Sequence, residues 1–162
     1  MDLVVALENI RSAHNVGSVF RTADAVGVKK IFLCGVTPAP IDKFGRPVSD
    51  IKKVALGAEK NILWEKADSA TSLIKKLKKQ GYFIIALEQA VSSIDYRLAK
   101  TPKEMPVALI IGSETDGVSK PVLKLADAIM EIPMIGKKES LNVSVAFGVA
   151  AYALIFGNKI NK

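Results

Sequence analysis

A chain of 162 residues, 49% of them apolar and with a mean hydropathy of +0.26, has the length and composition for one folded domain with a real core, which argues against disorder. The formal charge of +7, from 23 basic and 16 acidic residues, favours a polyanionic partner such as nucleic acid, although the run Ile74–Gly81 (IKKLKKQG) reads first as a solvated helix face. One cysteine, Cys34, and one histidine, His14, exclude an internal disulfide, a cysteine-based zinc site and a histidine cluster.

In chain order, Leu3–Leu7 (LVVAL) reads as a strand. A helix follows: Val16, Val19, Phe20, Ala23 and Val26 form its apolar stripe, Asn15 is the expected cap and Gly27 the stop. Lys30–Gly35 and Ile62–Glu65 read as strands. Between them lies a long polar segment, from about Thr37 to Val54, read as a loop of a length that is usually functional. Ser69–Gly81 reads as a helix capped by Ser69 or Asp68, and Tyr82–Glu88 as a strand. Val107–Gly112 is a continuous apolar run, as expected of a strand buried on both faces. Ser119 opens a short helix through Leu125, Ala128–Pro133 reads as a strand, and the last helix runs from about Asn142 to Phe156. The longest apolar stretch, Val143–Phe156, is shorter than the roughly 18–20 residues of a membrane span. The start lacks the basic region and cleavage site of a signal peptide, so a cytoplasmic protein is expected.

Strands alternating with helices imply an α/β domain with a mostly parallel sheet flanked by helices, spanning 1–162. Ligands of such sheets bind at the carboxyl ends of the strands. Three polar, glycine-bearing segments follow strands: Glu8–Gly17, Gly112–Ser119 and Met134–Asn142. The middle one, GSETDGVS, has neither the phosphate-loop nor the dinucleotide spacing, and its acids Glu114 and Asp116 would repel phosphate. A sugar, an amine or a neutral ring suits it better. On the first helix Arg21 lies roughly 160° from the apolar stripe and, taken alone, reads as a solvated arginine. His14 lacks a carboxylate at helical spacing and reads as a loop residue. Ser140 or Asn142 can each cap the last helix, and Ala146, Ala150 and Ala153 allow close packing against the core or a second copy.

Together these segments resemble the three motifs of the SpoU/TrmH family of SPOUT-class RNA ribose methyltransferases. NIRSAHNVGSVFRTADAVGV resembles the first motif, with Asn15 and Arg21; LIIGSETDGVS the second, with Gly112 and Glu114; and IPMIGKKESLNVSVAFGVAAYAL the third, with Ser140 and Asn142. VALGAEK, Val54–Lys60, resembles the Gly-Ala-Glu segment that follows the family's variable loop. The motifs stand in family order over nearly the whole chain.

The resemblance implies a C-terminal deep trefoil knot, S-adenosylmethionine as cofactor, no metal, a homodimer packed through the last helix, and methyl transfer to a ribose 2′-hydroxyl of tRNA or rRNA. A non-catalytic RNA-binding module of the same fold is the alternative. Carried onto this chain, the catalytic set is Arg21, Asn15, Glu114, Ser140 and Asn142, with Arg21 gripping a phosphate and stabilising the developing oxyanion rather than acting as a base. The cofactor would be met by Leu109, Ile111, Gly112, Glu114, Ile132, Met134, Gly136, Ser140 and Leu141. RNA would be met by Arg11, Lys43, Arg46, Lys52 and Lys53. The first motif begins almost at once and few residues follow the last helix, which resembles a minimal catalytic domain.

Overall fold

The structure is a computed structural model that describes residues 1–102 and 104–157, so the end of the expected 1–162 domain lies outside the described residues. Its elements are β1 (Leu3–Glu8), α1 (Ala13–Val26), β2 (Lys30–Cys34), α2 (Ser49–Ala55), α3 (Ala58–Asn61), β3 (Leu63–Ala67), α4 (Ala70–Lys79), β4 (Phe83–Leu87), β5 (Ile94–Asp95), β6 (Val107–Ile111), α5 (Lys120–Leu125), β7 (Ala128–Glu131) and α6 (Val143–Phe156).

The strands form one seven-stranded sheet in the order β3-β2-β1-β6-β4-β7-β5, and each neighbouring pair runs parallel. Every residue of β1 and β6 is buried, because helices cover both faces of a parallel sheet. Alternation along β1 sorts its side chains between two cores. Leu3, Val5 and Leu7 join α1, α2, α3 and α6 on one side, while Val4 and Ala6 join α4 and α5 on the other.

Several boundaries follow from local chemistry. The α1 helix starts earlier than its apolar stripe suggests, because Ser12 rather than Asn15 is the cap: its hydroxyl accepts the Asn15 N–H at 3.2 Å. Gly27 ends α1 in the left-handed region, at φ 81°, as the sequence predicts. Ser69 caps α4 and Asn142 caps α6, which resolves both open alternatives. The segment expected as a loop to Val54 is a loop only as far as Val48; α2 occupies the rest and packs on α1. That packing explains Gly17, where a Cβ would stand 2.8 Å from the Ile51 carbonyl oxygen.

After β7 the chain turns back across the carboxyl ends of β4 and β6 to reach α6, which packs on α1 and β6. This return crossing lies in the C-terminal part, where the resemblance puts the knot. Among the described residues, no helix is long and apolar enough to cross a membrane.

Candidate active site

Parallel pairing puts the three motif segments at one edge of the sheet, and side chains lock them together. With Ser12 as cap, the Asn15 side chain is free of the helix end and is buried. Its Nδ2 donates to Glu114 Oε1 at 2.7 Å, and its Oδ1 accepts from Asn142 Nδ2 at 3.1 Å. Asn142 Oδ1 in turn accepts the Ser144 N–H at 2.9 Å and the Ser144 hydroxyl at 2.7 Å. Both ends fix the polarity of this chain of bonds. A carboxylate only accepts, and a helix N-terminal N–H only donates, so each amide between them has one allowed orientation. Three segments far apart in sequence thus meet in one hydrogen-bonded line from the α6 N-terminus to Glu114.

The second motif folds on itself. Gly112 has no room for a side chain: a Cβ there would lie 2.0 Å from the Gly117 carbonyl carbon and oxygen. Gly117 takes φ 65°, in the left-handed region, and Ser113 bridges to it. Two further acids pin the loop's exit. Glu88 Oε2 accepts the Val118 N–H at 2.7 Å; Glu8 accepts the Ser119 N–H at 3.0 Å and its hydroxyl at 2.7 Å. These acids are placed symmetrically. Leu7 of β1 and Leu87 of β4 both pair with Ile111 of β6, so the next residues, Glu8 and Glu88, flank Gly112 from either side. Neither acid was expected from the sequence. The signal was there: Ala-Leu-Glu stands at the end of β1, at 6–8, and again at 86–88, where β4 ends at Leu87.

A cavity of about 450 Å³ opens beside Gly112–Gly117, a usual size for a small-molecule site. Leu87, Ile111, Ile132, Met134, Leu141 and Val143 give it apolar walls. Five acids line it, Glu88, Glu114, Asp116, Glu131 and Glu139, and no lysine or arginine does so among the described residues. That lining, acceptors on apolar walls, fits a ligand with an apolar ring and positive charge, which S-adenosylmethionine carries as a sulfonium and an ammonium. It does not suit a phosphate. No group of acids, histidine and cysteine that could hold a metal ion occurs among the described residues.

Of the residues expected to meet the cofactor, Ile111, Gly112, Glu114, Ile132, Met134, Ser140 and Leu141 line the cavity. Leu109 does not: it is fully buried in the core, two residues below the carboxyl end of β6 where the cavity sits. Gly136 is exposed on the same loop and is not a lining residue. Asn15 and Asn142 stand outside the lining and reach it through Glu114. Arg21 is not brought to this cavity. It is six residues beyond Asn15, about 9 Å farther along α1 and turned about 240°. There it is exposed and lines a separate hollow with Asp24, Leu56, Gly57 and Lys60.

Arg11, Lys43, Arg46, Lys52 and Lys53 are all exposed. The loop that carries Lys43 and Arg46 is anchored by buried Thr37, whose hydroxyl donates to the carbonyls of Leu7 and Cys34, each at 2.9 Å, and accepts the Ile10 N–H at 3.0 Å. Beside this anchor, burial and the nearby Glu8 charge push the Cys34 thiol up to about 12, so it stays protonated and inert.

The chain matches the SpoU rRNA Methylase family over residues 2–152. It is 32% identical over 151 residues to the tRNA (guanosine(18)-2'-O)-methyltransferase of Aquifex aeolicus, covering 93% of this chain and 67% of that protein. Putative TrmH family tRNA/rRNA methyltransferases of Staphylococcus are matched over 57% of their length, so the chain spans roughly three fifths of such relatives. Among solved structures, an AdoMet-bound rRNA methyltransferase from Sinorhizobium meliloti superposes with a TM-score of 0.84 at 28% identity, over 99% of this chain and 57% of that one. A structure described as giving insights into the 2-OH methylation of C/U34 on tRNA superposes with a TM-score of 0.78 at 26% identity, over 98% and 97% of the two chains. A family match over 151 of 162 residues agrees with the parallel sheet and with the meeting of the three motif segments, and the chain belongs to the SpoU family of RNA methylases.

Proposed function

We propose that this protein transfers a methyl group from S-adenosylmethionine to a ribose 2′-hydroxyl of RNA, and that the RNA is a tRNA. The observation that carries the reading is the line Glu114–Asn15–Asn142, which joins all three motif segments beside an acidic, apolar-walled cavity. Family membership supports the chemistry. The preference for tRNA is supported by the neighbour described for tRNA position 34, which matches this chain over nearly the full length of both.

When bound, S-adenosylmethionine supplies an electrophilic methyl group. The work left to the chain is to hold a ribose hydroxyl in line with it and to ease loss of its proton. Glu114 is the group that belongs both to the cavity and to the amide line, so it is suited to orient the hydroxyl. Ile111, Ile132, Met134 and Leu141 would cover an adenine ring, and the lining acids would favour a cation.

We further propose a homodimer packed through α6. Supporting this, α6 is apolar all round: Phe147, Ala150 and Leu154 face the core while Val145, Tyr152 and Phe156 leave an apolar stripe half-exposed. A Cβ at Gly148 would stand 3.6 Å from the Thr22 methyl, so this helix crosses α1 next to Arg21. A second copy on α6 would therefore come close to Arg21, whose role is to grip the phosphate beside the target ribose. Residues 1–162 are read as one catalytic domain working in the cytoplasm. The test is transfer of labelled methyl to unmodified tRNA and rRNA transcripts, with Arg21→Ala alongside. Label in tRNA that protects one linkage from alkali, and is lost in the variant, establishes the reading. No label in any RNA, with the cofactor bound, refutes it.

A further inference from the structure

We propose that the tip of the 41–47 hairpin is a stacking platform for an unpaired RNA base, with the Phe44 ring as its surface. The proposal rests on the RNA reading above and adds to it a contact made away from the cavity.

The tip is built to hold one ring out. Ile41 and Pro47 bridge antiparallel at its base. Asp42 then organises the turn: its N–H donates to the Arg46 carbonyl at 2.9 Å, its own carbonyl accepts the Gly45 N–H at 3.0 Å, and its Oδ1 accepts the N–H groups of Phe44 at 2.8 Å and Arg46 at 2.9 Å. Gly45 takes φ +78°, which the turn needs. Asp42 Oδ2 also accepts from Arg46 Nε at 2.9 Å, which fixes the guanidinium. These five hydrogen bonds leave Phe44 68% exposed, where its ring contributes nothing to the core.

The ring's neighbours identify its partner. Lys43 Nζ lies 5.0 Å and Arg46 Cζ 4.9 Å from the ring centroid. An apolar protein surface would have to strip water from both cations to reach the ring. A nucleotide meets the ring and Lys43 at once, since its base has a π-face and its phosphate a negative charge, while Arg46 is held beside the ring by its ion pair with Asp42. Only an unpaired base offers that face, which points to a loop or an end rather than a duplex. The hairpin follows β2, whose carboxyl end lies on the same sheet edge as the cavity, and Thr37 ties it to the first motif segment through Leu7 and Ile10. The platform is thus fixed relative to the amide line, so a base held there sets where a distant ribose falls.

The experiment compares tRNA transcript binding by the full chain and its Phe44→Ala, Phe44→Leu, Phe44→Trp and Lys43→Ala variants at several salt concentrations. Cofactor calorimetry confirms that each variant is folded. Phe44→Ala and Phe44→Leu are both expected to weaken RNA binding about 5- to 150-fold with the salt slope unchanged, since stacking is lost and no ion contact is. Phe44→Trp should restore affinity, and its added indole emission should be quenched by RNA. Lys43→Ala should lower the salt slope by about one phosphate contact. Wild-type affinity in Phe44→Leu overturns the platform, because an apolar side chain without a ring would then suffice. So does unaltered RNA binding by Phe44→Ala together with a changed oligomeric state, which would make the tip a protein contact. If the wild type binds no RNA, the proposed function falls; if it binds RNA and Phe44→Ala binds equally well, the platform alone falls.

Discussion

Replacing Asn142 separates two jobs that one side chain performs. Its Oδ1 caps α6 through Ser144, and its Nδ2 donates to Asn15. Asn142→Ala removes both. Loss of a cap costs about 1 kcal/mol, and loss of a neutral hydrogen bond about 0.5–1.5 kcal/mol. Asn142 is exposed and water replaces part of each bond, so the sum is roughly 1–2 kcal/mol, or a fall in melting temperature of about 2–8 °C for a chain of this size. Asn142→Asp behaves differently. A carboxylate still caps, and its charge at the helix N-terminus contributes about 0.3–1 kcal/mol. The oxygen that replaces Nδ2, however, faces Asn15 Oδ1 and breaks the polarity that runs to Glu114. This variant should melt within about 3 °C of wild type and yet lose methyl transfer roughly 10- to 100-fold. Thermal melts and labelled methyl transfer at saturating cofactor measure the two effects. If Asn142→Asp loses as much stability as Asn142→Ala, the capping argument is wrong. If it transfers methyl at the wild-type rate, the direction of the amide line has no bearing on function.

Gly112→Ala should abolish cofactor binding in calorimetry, because its Cβ would meet the Gly117 carbonyl at 2.0 Å and force the loop open. Glu8→Ala should lower the urea midpoint by the equivalent of about 1.5–3 kcal/mol, the worth of hydrogen bonds to a charged group, since it strands the Ser119 N–H and hydroxyl. Cys34 should resist thiol reagents at pH 8 in the native protein and react at once in denaturant. Its folded pKa of about 12 lies above the usual thiol value, so between about pH 9 and 12 the unfolded chain releases the proton first. Stability should therefore fall as pH rises through that window, less steeply in Cys34→Ala. Arg21→Lys should lose most of the transfer activity while binding the cofactor normally, because a lysine cannot grip a phosphate with two parallel hydrogen bonds; full activity would refute that role.

Much of this fold is legible in the sequence because local signals agree. The all-apolar run 107–111 announces a strand buried on both faces, and Ser69, Gly27 and Asn142 mark helix ends by their capping chemistry. What escaped has physical reasons. The α2 helix buries only Ile51 and Ala55, too few positions to show a helical period. Asn15 resembles a cap, and nothing local tells that Ser12 takes that place and frees the amide for Glu114. The flanking of Gly112 by Glu8 and Glu88 depends on β6 lying between β1 and β4, a strand order set by long-range packing. Leu109 has the composition of a cavity wall, but depth along the strand, not residue type, decides that it is core. Physical rules exclude knots by default, so that expectation rests on family likeness alone.

The two Ala-Leu-Glu stretches, 6–8 and 86–88, bear on how a ligand enters. Glu8 and Glu88 bolt the Val118–Ser119 end of one cavity wall to the ends of two central strands, and Gly112 roots its other end in β6. The opposite wall, 132–141, is mostly exposed and is tied back by Gln89 Nε2 to the Glu139 carbonyl at 2.8 Å. The cavity is an anvil facing a jaw. More of the entropy lost on binding should fall on the jaw, and hydrogen exchange should slow more in 132–141 than at Gly112, Val118 and Ser119 when the cofactor is added.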